Sequence, residues 1–236
     1  MHVLIDGDMM CYRIGFACDS EPEAVALASM DKYLSQIMVE LAIEMEVDEE
    51  ATFSPTVFLS GFTNFRNDYA VTAPYKGNRD GSRKPVHMSA LRQHLLDEWD
   101  AYLTEDEEAD DAIAIKATEY GDDSVIVSLD KDFDQVQGWH YNFHKQHLYY
   151  VTHEEGELNF YKQFLMGDRV DNIIGVKGIG DKKSHKLLSE LGCSVKMFQA
   201  CVELLGYERA VENGRLLYLR RKEGELWEPP KSQDVE

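Results

Sequence analysis

The chain has little of what many binding and anchoring schemes require. Among its 236 residues are four cysteines, in two distant groups, Cys11 with Cys18 and Cys193 with Cys201, and neither group forms a CxxC. That excludes a zinc knuckle and a disulfide frame and leaves reduced thiols of a cytosolic kind. No apolar run approaches the roughly 20 residues of a membrane span, and mean hydropathy is −0.41. The opening MHVLID lacks the basic start and long apolar stretch of a signal peptide and reads as a buried strand. There is no internal repeat. Basic charge is scarce as well: Lys+Arg number 24 against 44 Asp+Glu, a net charge of −20. Taken whole, that argues against a nucleic-acid binder, because phosphate contacts need cations.

What is present points the other way. Hydrophobic residues make up 44% and aromatics 11%, enough for a real core, as one α/β domain with or without a small appendage. The scarce cations are segregated. Segments 66–92, 162–186 and 209–222 hold 6, 6 and 5 basic residues against 2, 3 and 1 acidic ones. The remainder carries 7 basic and 38 acidic residues. An acidic chain with three basic islands leaves nucleic acid open.

Val3–Asp6, Pro55–Ser60, Ser124–Leu129 and Trp139–Phe143 read as strands. A helix is expected over Glu21–Glu46, with Ser20 as its N-cap and Pro22 in its first turn. Further helices are expected over Met88–Leu103 and Ala109–Tyr120, and a mostly helical region from Leu158 onward. Strands alternating with helices predict an α/β fold with a mostly parallel central sheet flanked by helices. The predicted division is a core over 1–160, a helical hairpin region over 161–225 and a tail over 226–236. The basic stretch at about 62–87, with Pro74, Gly77, Gly81 and Pro85, is expected to be an exposed loop or arch.

Carboxylates fall where such a sheet binds ligands. Asp6 ends the first strand, and Asp130 with Asp132 follows the best one. Glu108, Asp110 and Asp111 open a helix, with Glu108 and Asp111 on one face. Asp168 and Asp171 are three apart. Carboxylates gathered this closely cannot all stay ionised without cations, and hard divalent ions such as Mg²⁺ or Mn²⁺ would resolve the repulsion. Each group alone has a blander reading as helix-start acids favouring the macrodipole.

GVKGIG at 175–180 is neither GxGxxG nor a P-loop, because Asp181-Lys182 stands where Lys-Ser/Thr would be. Glycines flanked by apolar residues before a helix suit a hairpin whose N–H groups approach a DNA phosphate, with Lys177, Lys182, Lys183 and Lys186 adding charge. In YKGNR, over 75–79, a cation pair beside an aromatic could clamp a scissile phosphate and stack a terminal base. The blander readings are a helix–loop–helix and a solvated loop. His140, His144, His147 and His153 fit no standard zinc spacing. Met9, Met10 and Tyr12 read as core, Trp99 and Trp139 as core or half-buried, and Glu44–Glu50 as a solvated helix end.

Together LIDGD (4–8), NFR (64–66), YKGNR (75–79), EADD (108–111), SLDKDF (128–133) and GDRVDNIIGVKGIG (167–180) resemble the 5′ nuclease superfamily of flap endonucleases, 5′-nuclease domains of bacterial DNA polymerases and bacteriophage 5′–3′ exonucleases. The motifs occur in the family's order across about residues 3–190 and look most like the bacteriophage branch. The resemblance implies a PIN-like fold and a 5′–3′ exonuclease with flap endonuclease activity, a cytoplasmic protein of a bacterial or phage-infected cell.

By the same resemblance Asp6, Glu108, Asp110 and Asp111 would serve one divalent ion, and Asp130, Asp132, Asp168 and Asp171 a second. Lys76 and Arg79 would act on the scissile phosphate, with Tyr75 orienting the displaced end. Arg66, Arg83, Lys84, Lys177, Gly178, Gly180, Lys182 and Lys183 would bind DNA, with K⁺ at the hairpin carbonyls. The expected partner is DNA with 5′ ends, flaps or nicks; the expected state is a monomer off the membrane. A ribonuclease acting on RNA primers and a catalytically silent DNA-structure-binding protein are the alternatives. One departure stands out. The family usually has an aspartate just after the second strand, where this chain reads Leu59-Ser60-Gly61-Phe62. Either one ligand is missing or Asp8 stands in for it.

Overall fold

The structure, a computed structural model, describes residues 1–46, 53–79 and 81–231. Its sheet is built from β1 (His2–Asp6), β2 (Ser54–Leu59), β3 (Tyr102–Leu103), β4 (Ser124–Val127), β5 (Gly138–Asn142) and β6 (His147–Val151), in the order β3-β2-β1-β4-β5-β6. Every pairing is parallel except β5 with β6. The central strands are apolar without interruption because both their faces are covered. Val3, Ile5, Val57, Leu59, Val125 and Val127 point to one side, and Leu4, Phe58 and Ile126 to the other.

The first side packs on α1 (Gly7–Ala17), α2 (Glu23–Glu44) and, after the short α3 (Arg66–Tyr69), α4 (Met88–Glu98). The second is covered by α5 (Ala109–Tyr120). The chain leaves β1 towards β2 and β3, then returns to β4 on the other side of β1. That reversal opens a crevice at the carboxyl ends of β1 and β4.

A second apolar core forms beyond the sheet around α6 (His153–Met166), the short antiparallel pair β7 (Gly167–Asp168) and β8 (Ile173–Ile174), α7 (Asp181–Leu188), α8 (Ser194–Leu205) and α9 (Tyr207–Leu217). α6 starts on a capping box, with the Thr152 hydroxyl accepting from the Glu155 N–H and Glu155 returning to the Thr152 N–H.

Several sequence expectations shift. α2 begins at Glu23 with Pro22 in the cap position, and Ser20 does not cap it. The expected division at 160/161 falls inside α6, a continuous helix. Trp227, placed in the tail, is buried against Phe160, Phe164 and Phe198. Tyr12 is 39% exposed, whereas Met10 is in the core as expected. β6, absent from the sequence reading, adds the antiparallel edge. The acidic run from residue 47 to Glu50 lies outside the described residues.

The basic stretch 62–87 is anchored more than an open arch would be. It contains α3, its Tyr75 is buried in the second core, and Val71 and Thr72 donate backbone N–H groups to Glu212.

Candidate active site

A groove of about 730 Å³ lies at the carboxyl ends of β1 and β4, lined among others by Asp6, Asp8, Lys76, Arg79, Glu108, Asp110, Asp130, Asp132, Asp168 and Asp171. Topology alone collects them. Asp6 closes β1 and caps α1, accepting from the Met9 N–H at 2.9 Å. Asp110 is in the first turn of α5. Asp130 opens the turn after β4 and accepts the Asp132 N–H at 2.9 Å. Asp168 accepts the N–H groups of Val170 and Asp171, at 2.6 and 3.1 Å.

The acids divide by whether the protein supplies them a cation. Burial pushes Asp6 up to about 7, against hydrogen bonds from Met9 and the Ser128 hydroxyl, and pushes Asp132 up to about 8, helped by Asp130 and Asp168. Asp110 is held well above the usual carboxylate range by burial and by Asp6 and Glu108. Asp130 is also raised, chiefly by burial. None of these four forms an ion pair among the described residues.

Glu108 behaves oppositely. Burial works against its charge, but Lys76 and Arg66 outweigh it and lower the pKa. Asp171 is ion-paired to Arg79 at 2.5 Å and remains raised by burial. The groove therefore holds four mutually repelling carboxylates, Asp6 buried and the other three half-buried, short of positive charge. All their donors are hard oxygens, which suits divalent cations of the Mg²⁺ and Mn²⁺ type. Among the described residues no three such groups already converge on one coordination point.

Segment 74–79 is stitched onto the loop that carries Asp168 and Asp171. The Lys76 N–H donates to the Asp171 carbonyl at 2.9 Å, Arg79 Nε to the Val170 carbonyl at 3.1 Å, and Asn172 to the Pro74 carbonyl at 2.9 Å. Lys76 adopts a left-handed backbone, φ 54°, which is costly away from glycine and is held here by these contacts. Its ammonium pairs with Glu108 and approaches Asp171 at 3.8 Å.

No family model matches the chain. DNA polymerase I of Bacillus caldotenax is 29% identical over 231 residues, which are 86% of this chain and 25% of the polymerase. Flap endonuclease Xni of Shewanella piezotolerans is 34% identical over 161 residues, 58% of this chain and 60% of that protein. The chain is similar in sequence to both of these proteins. It spans about a quarter of the polymerases it matches. It also shares its α/β, PIN-like fold with a bacteriophage T5 flap endonuclease solved as a pseudo-enzyme–product complex with DNA and metal ions: TM-score 0.63, 20% identity, 92% of this chain and 88% of that one.

Three sequence assignments are corrected by the structure. Asp111, expected at a metal, is fully buried, and its oxygens accept from Arg66 at 2.5 and 2.9 Å, the Arg220 N–H at 3.1 Å and the Glu108 N–H at 3.2 Å. Arg66, expected on DNA, is 1% exposed and also donates to the Leu216 and Tyr218 carbonyls. This buried pair ties α5 to the end of α9. Tyr75 cannot stack a base, because its ring is in the second core; its hydroxyl donates to Glu108 and Asp171, each at 2.8 Å.

Arg83 and Lys84 are exposed, with Arg83 paired to Asp19 and Lys84 on the groove wall. Lys177, Gly178, Gly180, Lys182, Lys183 and Lys186 are all exposed around the start of α7. Asp8 stands against the end of β2: it accepts the Ser60 N–H at 2.8 Å and pairs with Arg92.

The sequence reading missed Arg92, Ser128 and Gln163. The Ser128 hydroxyl donates to Asp6 at 2.7 Å, and the Gln163 amide donates to Asp132 at 2.7 Å. Ser128 was signalled by its place two residues before Asp130 at a strand end. Gln163 had no local signal.

Proposed function

We propose that this chain is a metal-dependent 5′–3′ exonuclease and flap endonuclease hydrolysing DNA phosphodiesters near 5′ ends. The observation that carries the reading is the cluster Asp6, Asp110, Asp130 and Asp132, drawn from three chain segments, gathered buried or half-buried in one groove without an ion-paired protein cation and faced by Lys76 and Arg79. The relatives' names, flap endonuclease Xni and the T5 enzyme with DNA and metal ions, supply the substrate class.

These four acids, with Glu108, Asp168 and Asp171 beside them, would hold two ions, Mg²⁺ or Mn²⁺. Asp111 is excluded by its buried pairing. Such ions supply an activated water and stabilise the departing oxygen in phosphodiester cleavage. The chain's own residues do the rest. Ser128 and Gln163 fix the orientation of Asp6 and Asp132, and the Tyr75 hydroxyl holds Glu108 to Asp171. Lys76 and Arg79 exchange these carboxylates for the non-bridging oxygens of the scissile phosphate, where charge develops. The exposed amides and lysines of 175–186 hold the duplex backbone without reading sequence, and the carbonyls of that turn are the proposed seat for K⁺.

The test is cleavage of 5′-labelled flap, nicked, single-stranded and RNA-primed substrates with Mg²⁺, Mn²⁺ or chelator. Chelator-sensitive release from DNA 5′ ends, lost in Asp130→Ala with DNA binding retained, is the expected result. Preference for the RNA primer would make the chain a ribonuclease. Binding without cleavage would make it the silent structure-binding protein that the absent acid after β2 otherwise suggests.

A further inference from the structure

Phe62 is the most exposed large apolar side chain among those described, at 103%, and it stands on the wall of the acid groove. Looseness does not explain this. The Gly61 N–H donates to the Thr104 hydroxyl at 3.1 Å, the Asp106 N–H to the Thr63 hydroxyl at 3.0 Å, and the Phe65 N–H to the Asp106 carbonyl at 3.2 Å. Gly61 packs so closely that a Cβ there would lie 2.1 Å from the Thr104 carbonyl oxygen. A tied-down turn therefore presents a phenyl ring to water beside a phosphate-type site, at a hydrophobic cost that nothing inside the fold offsets.

Behind Phe62 is a side pocket of about 200 Å³ that shares Ser60, Gly61, Phe62, Lys76 and Glu108 with the main groove. Its remaining wall includes Asn64 and Asn67. The Asn64 Oδ1 accepts the Arg66 N–H, its amide N–H₂ has no internal hydrogen bond among the described residues, and the same holds for the exposed Asn67 side chain. An aromatic face, carboxamide edges and an adjoining lysine match one ligand class, a single unpaired nucleobase whose phosphate lies in the groove.

We propose that Phe62 and the Asn64/Asn67 pocket form a nucleobase subsite, with Phe62 stacking on an unpaired base next to the phosphate engaged by Lys76 and Arg79. The inference rests on the nucleic-acid reading above. It replaces the stacking role that burial denies to Tyr75.

The experiment uses 5′-flap DNA carrying 2-aminopurine, or an abasic residue, at successive positions around the cleavage point, bound to the full chain with Ca²⁺. In the wild type one position should be quenched by stacking; Phe62→Ala should relieve that quenching and Phe62→Tyr should retain it. Affinity should fall about five- to hundredfold in Phe62→Ala, the range for removing a stacked aromatic. An abasic residue at the quenched position should cost the wild type as much and cost Phe62→Ala nothing further. Unchanged affinity and fluorescence in Phe62→Ala, or losses that simply add, would overturn the proposal while leaving the nuclease reading intact. A wild type that binds no DNA would overturn both.

Discussion

Asp110 and Asp111 are adjacent and chemically identical, and one step of helix rotation gives them opposite tasks. Asp110 faces the groove with its pKa driven up by burial and like charge; Asp111 faces inward, its pKa pulled below the usual range because Arg66 outweighs the burial penalty. Asp110→Asn should leave thermal stability unchanged or raised in chelator, because a repelled charge is removed, while turnover falls by about two orders of magnitude or more, as when a charge-stabilising group is lost. Asp111→Asn should do the reverse in origin. It leaves the Arg66 guanidinium buried without its carboxylate, at a cost of about 3–5 kcal/mol, visible as a lower Tm before any assay of activity. Equal Tm values for the two variants would contradict this division. The acidic run EADD was legible as a cluster, and the shared face of Glu108 and Asp111 was too. Its meaning was not. That pairing is a capping box, which turns Asp111 away from the groove, and only the distant Arg66 reveals it.

The strands and most helices could be read from apolar runs and spacing, because both faces of the central sheet are buried and the pattern is strong. The edge strand β6, with Tyr149 and Tyr150 half-exposed, carried no such pattern. Next to it on β5, His140 is buried, stacks on Tyr149 and hydrogen-bonds through Nε2 to the Val136 carbonyl, with Asp134 and Arg221 as its charged neighbours. Burial holds this imidazole neutral below its ordinary value of 6.5. The unfolded chain then takes up a proton that the folded chain refuses, so stability is intact above that value and is lost as pH falls below it. Tm of the wild type should drop more between pH 7 and 5.5 than Tm of His140→Gln; parallel curves would refute the assignment. The turn before α7 makes a second element-scale case. A Cβ on Gly175 would lie 2.3 Å from the Met166 carbonyl carbon and 2.4 Å from the Gly167 nitrogen. Gly175→Ala should therefore cost about 1–3 kcal/mol of stability through overpacking. Lys182→Ala with Lys183→Ala, both exposed, should spare stability and reduce the salt slope of DNA binding by about two if each lysine meets one phosphate. A double variant with an unchanged slope would remove these lysines from the DNA surface.

Net charge was the least legible quantity at the scale of the molecule, because composition does not say which charges the fold consumes. The third basic island is an example: Arg215 pairs with Glu228, Arg220 with Glu107, and Arg221 donates to the Leu219 and Gln135 carbonyls. It braces α9 and the closing segment instead of extending a DNA surface. Of the first island, Arg66 is buried and Arg92 is spent on Asp8. The cations left for a polyanion are chiefly Lys76, Arg79 and Lys84 along the groove and the lysines around α7, set against a total of −20. A phosphate backbone laid into the groove meets Asp6, Asp110, Asp130 and Asp132 at the same place as Lys76, and repulsion from even one carboxylate a few ångströms away exceeds about 1.4 kcal/mol near a protein surface. Divalent ions among these acids reverse the local sign. Affinity for 5′-flap DNA should accordingly rise at least about tenfold from chelator to Ca²⁺, and most of that gain should disappear in Asp110→Asn with Asp130→Asn, whose binding in chelator should already be tighter than that of the wild type. Titration of labelled flap DNA by fluorescence anisotropy under the two conditions reads both effects. Affinity indifferent to Ca²⁺ in the wild type would mean that the backbone never passes over the acid cluster, and that the basic surface around α7 binds DNA independently of it.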